Sequence, residues 1–223
     1  GAHNNGFYEM VTGVGVTNTR TTRDISAVAG ARKISAVTVD PNTPSTVWMA
    51  YQAGGLPPIV VKVVNAAAAV PTATNVSTGL PTSNGLYISS IDVEKGNSNH
   101  LLLSFTNYGT NSVWESTNGG TSWTSVEGNL PDMPIRWAMI HPDSSDMAFV
   151  ATDLGVWSTN DLNAGATNWA PTNNGFANVR VDMLQFRETD NTLVAATHGR
   201  GLFTAILPHT PKLNFDYAAK TVK

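Results

Sequence analysis

The chain has 223 residues, a formal net charge of −3 and no cysteine. This length is enough for one large or two small domains with a sizeable core. The lack of cysteine excludes disulfides, thiolate metal sites and cysteine nucleophiles. Charged residues make up 13% of the chain, against a usual ~25%. Because there is no basic run and no apolar run near the ~20 residues of a membrane helix, neither nucleic-acid binding nor membrane insertion is expected.

The chain repeats a pair of strands joined by a short turn. Residues 34–51 and 135–152 each predict a strand, an Asp/His-Pro-Asn/Asp turn and a second strand. Proline fixes φ in the turn, and the Asn or Asp that follows it tolerates a left-handed or bridging backbone conformation. Residues 87–106 and 181–197 predict the same pair without the proline. The pairs recur at roughly 45–54 residues, which is the period of a four-stranded β-propeller blade.

The second half of each repeat predicts a third and a fourth strand. The third strands are expected over 59–65, 112–115, 155–158 and 201–204, and the fourth strands over 123–127 and 169–172. The alanine run 66–69 has poor β propensity and is expected to be a loop or an edge. An insertion over residues 160–169 weakens the sequence signal for the turn of its repeat.

The two ends of the chain predict incomplete blades. Residues 7–12 are expected to form a third strand and residues 15–20 a fourth, while the last repeat ends after a third strand near residue 207. The total of seventeen strands closes neither four nor five blades of four strands. A propeller made of these strands alone would stay open and would expose sheet edges and apolar blade faces. We therefore expect the chain to be a partial, C-terminal piece of a larger all-β propeller. A compact five-bladed closure with irregular strands is the alternative.

These strands predict the following division of residues 1–207. We expect a partial blade over 1–33, blades over about 34–85, 86–134 and 135–179, and a last blade over 180–207. Residues 208–223 are expected to be a linker or the start of a following module.

One turn carries a family resemblance. Residues 116–123 place Asn-Gly-Gly between two β-rich runs, which is a strong hairpin signal because glycine supplies positive φ. The order resembles the Asp-box, with Asn118 in the usual Asp position and Ser122 in the usual Thr position. The matching residues are Ser116, Asn118, Gly120, Ser122 and Trp123. In propellers of the sialidase, xyloglucanase and sortilin types, this resemblance implies a structural turn on the outer part of a blade.

A second resemblance lies at the end of the repeats. Residues 195–203, Ala-Ala-Thr-His-Gly-Arg-Gly-Leu-Phe, look like the last blade of the large Asp-box (BNR) proteins that bacteria export by type IX secretion. In that group the propeller is often followed by immunoglobulin-like modules and a sorting domain. The resemblance implies a secreted or cell-surface bacterial protein.

The candidate catalytic residues are few. A sialidase resemblance would require an arginine triad, but only Arg136 and Arg180 lie near starts of inner strands, and no Tyr/Glu pair accompanies them. Asp92 and Asp153 are candidates for the aspartate pair of a xyloglucanase by position alone. A turn or capping role is favoured for both.

Five residues are candidates for a ligand-binding rim. Trp137 beside Arg136 is the best candidate for a platform that stacks on a sugar, although core packing is favoured for a tryptophan. The other three, which lie in predicted turns, are Asp153, His198 and Arg200. The glycine-flanked Arg200 favours a bulge with an exposed side chain.

No cofactor is expected from the sequence. The histidines do not have zinc spacing. Asp143, Asp146 and Asp153 are candidate calcium ligands, but no loop has the alternating Asp/Asn spacing of a dedicated site.

The sequence favours a non-catalytic binding or scaffold module that presents rim loops to a glycan or protein partner. Missing blades of the parent chain or a companion chain are the other expected partners. The alternative is the C-terminal part of a glycoside hydrolase with its catalytic carboxylates largely upstream, since one fold supports both functions.

Overall fold

A computed structural model describes residues 2–12, 19–163, 165–172, 174–175 and 178–207. These residues form five antiparallel sheets that follow one another along the chain. The first sheet has three strands, β1 (Ala2–His3), β2 (Phe7–Thr12) and β3 (Thr19–Asp24). The second has four, β4 (Lys33–Val39), β5 (Val47–Ala53), β6 (Leu56–Val64) and β7 (Thr72–Asn75).

The remaining three sheets repeat the same up-and-down order. The third contains β8 (Ile88–Val93), β9 (Leu101–Phe105), β10 (Val113–Ser116) and β11 (Thr124–Ser125). The fourth contains β12 (Ile135–His141), β13 (Ser144–Thr152), β14 (Gly155–Thr159) and β15 (Ala170–Pro171). The fifth contains β16 (Val181–Arg187), β17 (Thr192–Thr197) and β18 (Gly201–Ile206).

The first sheet differs from the prediction. It gains the short strand β1, so that the described residues form eighteen strands instead of seventeen. Its last strand covers Thr19–Asp24 and not 15–20; residues 13–18 lie outside the described part, as does the predicted linker 208–223. A short helix, α1 (Ser26–Ala29), was not predicted. It begins where the Asp24 carboxylate accepts the N–H of Ser26 (2.8 Å), and it ends at Gly30 with φ of 63°.

Apolar side chains join each sheet to the next. Tyr8 packs with the second sheet, Trp48 with the third, Leu102 with the fourth and Met139 with the fifth, in four separate clusters. Within the described residues, none of these clusters joins the fifth sheet to the first. The sheets therefore stack in series as the blades of a β-propeller, with an apolar layer between neighbours.

The first strand of each of the last four blades lies innermost. Neighbouring inner strands contact one another in the order β4, β8, β12, β16. They run parallel, because Ser90 accepts the N–H of Ala138 (2.9 Å) and Asp92 accepts the N–H of Ile140 (2.8 Å). We call the end where inner strands begin the upper rim and the opposite end the lower rim. The turns between second and third strands also lie at the upper rim.

The turn over residues 116–123 is closed by side-chain hydrogen bonds. The Asn118 side chain accepts the N–H of Ser122 (2.9 Å) and donates to the Ser122 hydroxyl (2.8 Å), while the Ser116 hydroxyl accepts the N–H of Gly120 (2.9 Å). Asn118 thus reaches four residues ahead, farther than the two residues of an ordinary Asx turn. Gly119 and Gly120 explain the longer reach, because both have positive φ (69° and 86°) and curl the backbone around the amide.

Two tryptophans fasten one blade to the previous one. The indole N–H of Trp123 donates to the carbonyl of Val76 (2.8 Å), and that of Trp169 donates to the carbonyl of Val126 (2.9 Å). Val76 and Val126 each follow the fourth strand of the preceding blade. The fourth strands are consequently shorter than predicted: Trp123 donates its N–H to Thr78 of the preceding blade (2.9 Å), and β11 begins one residue later.

Candidate functional site

The upper rim is built around a β-bulge that recurs in every inner strand. The register of β4, β8, β12 and β16 against the second strand shifts at the same place, near the strand's start. The extra residues are Ser35, Ser89, Arg136 and Asp182. Because a bulge re-aims the side chain of its extra residue, four repeat-equivalent positions bring two serines, an arginine and an aspartate to one end of the propeller.

Arg136 and Asp153 form the first charged pair at this rim. The guanidinium Nε donates to Oδ1 of Asp153 (3.0 Å), and a terminal nitrogen donates to Oδ2 (3.4 Å). About a quarter of each side chain is exposed (26% and 28%). A two-pronged arginine–carboxylate contact fixes both groups in orientation. The rim thus presents guanidinium N–H groups and carboxylate oxygens in a defined arrangement.

The fifth blade carries a second charged group at the equivalent place. Asp182 accepts from Nε of Arg180 (2.6 Å), and Nδ1 of His198 lies 3.5 Å from its other oxygen. The turn between β17 and β18 is held against the start of the inner strand β16, because the backbone N–H of His198 donates to the carbonyl of Arg180 (2.9 Å). Arg200 is exposed in the same turn. Cationic groups therefore outnumber carboxylates at this part of the rim.

Four of the five predicted rim residues lie at the upper rim, namely Arg136, Asp153, His198 and Arg200. The fifth, Trp137, is half-buried against the apolar cluster between the fourth and fifth blades, and it lines the central channel. Sequence reasoning missed Asp182. Its position relative to the repeat, 46 residues after Arg136, could have revealed it, because Asp182 is the bulge residue of the next inner strand.

The central channel opens into a cavity of about 270 Å³ towards the lower rim. Its wall includes Asp92, Trp137, Gln185 and Phe186. Burial raises the pKa of Asp92 to about 7, although hydrogen bonds from the N–H groups of Ile140 and Val93 oppose the rise. Asp92 thus links two neighbouring inner strands through the backbone N–H of Ile140, in place of the turn or capping role favoured from the sequence.

A buried histidine lies between two glutamates at the lower rim. His100, which is 5% exposed, places Nδ1 2.8 Å from Glu94 and Nε2 2.8 Å from Glu115. Burial alone would lower the pKa of His100, but the hydrogen bonds to Glu115 and Glu94 raise it above its usual value. This arrangement favours an imidazolium ion that donates to both carboxylates.

Most carboxylates of the described residues accept a hydrogen bond or form an ion pair within the chain. Some accept backbone N–H groups: Asp24, Asp40, Asp92, Glu127 and Asp132. Others contact a cation or an imidazole: Glu94, Glu115, Asp153, Asp182, Glu188 and Asp190. Each of these carboxylates therefore has a hydrogen-bond or ionic partner within the chain.

The three candidate calcium ligands do not converge. Asp143 precedes β13, Asp146 lies near its start and Asp153 follows its end, so a strand of ~3.3 Å per residue separates the first two from the third. No group of three or more His, Asp or Glu side chains suited to a metal occurs in the part of the chain that the structure describes. Nor does any described helix have the length and apolar character to cross a membrane.

Comparison with known proteins identifies similar folds but not a family. No protein-family description matches the chain, and no curated protein does. The GH74 enzyme of Niastella koreensis is similar with a TM-score of 0.58 and 16% identity, over 78% of this chain and 28% of the enzyme. The GH74 xyloglucanase of Xanthomonas campestris gives 0.55 and 15%, over 78% of this chain and 29% of the enzyme.

The third similar structure is a β-propeller domain. The β-propeller domain of Cps50 (Swd1) from Myceliophteria thermophila gives a TM-score of 0.60 and 11% identity, over 99% of this chain and 70% of that domain. The chain spans less than a third of the length of the two GH74 enzymes. At these identities the likeness concerns architecture alone: the chain has the β-propeller fold.

Proposed function

We propose that the chain is a non-catalytic binding module of a secreted or cell-surface bacterial protein, and that it presents its upper rim to a glycan or protein partner. The observation that carries this proposal is the pairing of the rim carboxylates: Asp153 contacts Arg136 and Asp182 contacts Arg180. A glycoside hydrolase needs two carboxyl groups that flank the scissile bond and are available for acid, base or nucleophilic roles. Paired carboxylates instead offer fixed hydrogen-bonding groups for recognition.

The proposed location and partners rest on the sequence. The low charge content and the resemblance to Asp-box proteins of type IX secretion favour an extracellular or cell-surface protein. The remaining blades of the parent protein, or a companion chain, are proposed as further partners. No cofactor is part of the proposal, and calcium is not needed for it.

A binding screen with matched variants tests this function. The full chain is applied to a glycan array and to extracts of cell-surface proteins, as wild type, Arg136→Ala and Arg187→Ala. Arg187 is the control, because it is an exposed arginine paired with Asp190 at the lower rim. We expect binding to be lost in Arg136→Ala and retained in Arg187→Ala. Hydrolysis of a bound glycan by the wild type would overturn the proposal.

A second candidate function is the C-terminal part of a glycoside hydrolase. The fold similarity to the GH74 enzymes favours it, and their greater length leaves room for catalytic carboxylates in other parts of a parent protein. Activity of the intact parent on xyloglucan or sialosides, together with inactivity of this chain alone, would support this candidate.

A further inference from the structure

The two inter-blade tryptophans occupy sockets of the same design. We define an indole socket as the residue after a fourth strand, whose carbonyl accepts the indole, together with a positive-φ glycine two or three residues later. In the first socket these are Val76 and Gly79, and in the second Val126 and Gly128. A Cβ on either glycine would lie within 2.3 Å of a carbonyl oxygen in the incoming segment, because that backbone crosses directly over it.

A third socket follows the fourth strand of the fourth blade. Thr172 comes after β15, and its N–H donates to Val156 of the third strand (2.8 Å). The N–H groups of Val76 and Val126 make the same bond to the third strands of their own blades. Gly175, three residues later, has a positive φ of 93°. In contrast with the two other glycines, a Cβ on Gly175 would meet no atom of the described residues within 4 Å.

This third socket opens into a groove between the fourth and fifth blades. The groove has a volume of about 300 Å³, and its lining includes Thr172, Gly175, Phe203, Ala205 and Leu207. One of its walls is β18, which is the last strand of its sheet among the described residues, whereas three other sheets have a fourth strand in this place. The groove therefore lies at the place equivalent to an interface that the protein builds twice between earlier blades.

We infer that this groove binds an extended segment of a second polypeptide, in which a tryptophan leads a β-strand. The strand adds beside β18, and the indole N–H donates to the carbonyl of Thr172. Strand addition supplies main-chain hydrogen bonds, and the socket supplies specificity for the aromatic side chain. This interaction is distinct from ligand binding at the upper rim and does not depend on it.

The chemistry of the occupied sockets decides between possible occupants. Both take an indole with its N–H bonded to a carbonyl. Residues 208–223 contain no tryptophan, so they cannot supply that bond. The six tryptophans of residues 1–223 all lie between residues 48 and 169, within the completed blades, so these residues of a second copy do not have one to spare.

A peptide titration tests the inference. The probe is a fluorescein-labelled peptide with the sequence of residues 121–127, Thr-Ser-Trp-Thr-Ser-Val-Glu, and its binding to the full chain is measured by anisotropy. We expect saturable binding. Replacement of the peptide tryptophan by alanine should weaken it by about 30-fold or more, because a buried aromatic anchor contributes ~2 kcal/mol or more at an interface.

Two chain variants locate the binding. Ala205→Arg puts a charge into the groove, whereas Ile206→Arg puts the same charge on the opposite face of β18, since neighbouring residues of a strand point to opposite faces. Both side chains are exposed, so neither substitution disturbs a buried core. Binding should be lost in Ala205→Arg and retained in Ile206→Arg. Equal loss in both variants would overturn the inference.

Other occupants give different results. Tighter peptide binding by a Phe215→Ala/Tyr217→Ala double variant would mean that the chain's own C-terminal residues fill the groove. A dimer that the peptide dissociates would mean that a second copy does so. Either result, or no binding by the wild-type chain, would overturn the inference.

Discussion

The indole hydrogen bonds between blades are the contacts whose contribution can be isolated most cleanly. Trp123 is 4% exposed and donates to the carbonyl of Val76. In Trp123→Phe the ring loses volume, and the buried carbonyl loses its donor. An unpaired buried polar group costs about 1–3 kcal/mol. We therefore expect the free energy of unfolding to fall by that amount, in addition to the loss from the smaller ring.

Trp48→Phe is the matched control. Trp48 is fully buried in the same cluster, but its indole nitrogen has no hydrogen-bond partner in the described part of the structure. The volume change is therefore the same, and no hydrogen bond is lost. Because Trp48→Phe also removes an unpaired buried N–H, the difference between the two variants should be at least about 1–3 kcal/mol in favour of Trp48→Phe.

Urea unfolding followed by far-ultraviolet circular dichroism gives both free energies from the midpoint and the slope. The slopes should agree between the variants, because the surface exposed on unfolding is nearly unchanged. Equal destabilisation of Trp123→Phe and Trp48→Phe would refute the reasoning, since it would mean that the indole bond to the preceding blade adds nothing.

Three further predictions follow from the described contacts. The folded pKa of His100 is raised. The stability that His100 contributes is therefore fully present below its unfolded pKa of ~6.5 and is lost as pH rises through the folded pKa. The difference in melting temperature between wild type and His100→Gln should be largest near pH 5.5 and should shrink by about pH 8.5. Gly79→Ala should destabilise by more than 2 kcal/mol in urea unfolding, since its Cβ would lie 2.3 Å from a carbonyl oxygen, whereas Gly175→Ala should lose only the ~1 kcal/mol of a strained φ. Arg136→Ala should change the unfolding free energy by ~1 kcal/mol or less, because it breaks only a partly exposed pair with Asp153; a larger loss would make this pair structural.

The strand repeat could be predicted from sequence because alternating apolar residues and Asp-Pro turns report directly on local structure. The predicted strand over 181–187 matches β16, and the alanine run after β6 is a loop. The bulge at Arg136 could not be predicted, since it depends on pairing with a second strand. The partner of Trp123 also could not, because Val76 lies 47 residues away in another blade.

For the candidate site, the sequence allows a prediction of which turns lie at the same rim, but not of how their side chains contact one another. Repeat equivalence places Asp153 and His198 in corresponding turns, and the structure places both at the upper rim. The ion pair between Arg136 and Asp153 depends on the side-chain direction that the bulge imposes. Trp137 follows the bulge residue directly and packs between blades, because neighbouring strand residues face opposite sides.

The central claim is that one blade unit is copied so that equivalent residues make equivalent contacts. A crystal structure of the chain tests it most directly. We predict indole nitrogen to carbonyl oxygen distances within ~3.2 Å for Trp123 to Val76 and Trp169 to Val126, with a bulge near the start of each of the four inner strands. Two sheets packed face to face as a sandwich, or indoles that point into solvent, would contradict the account.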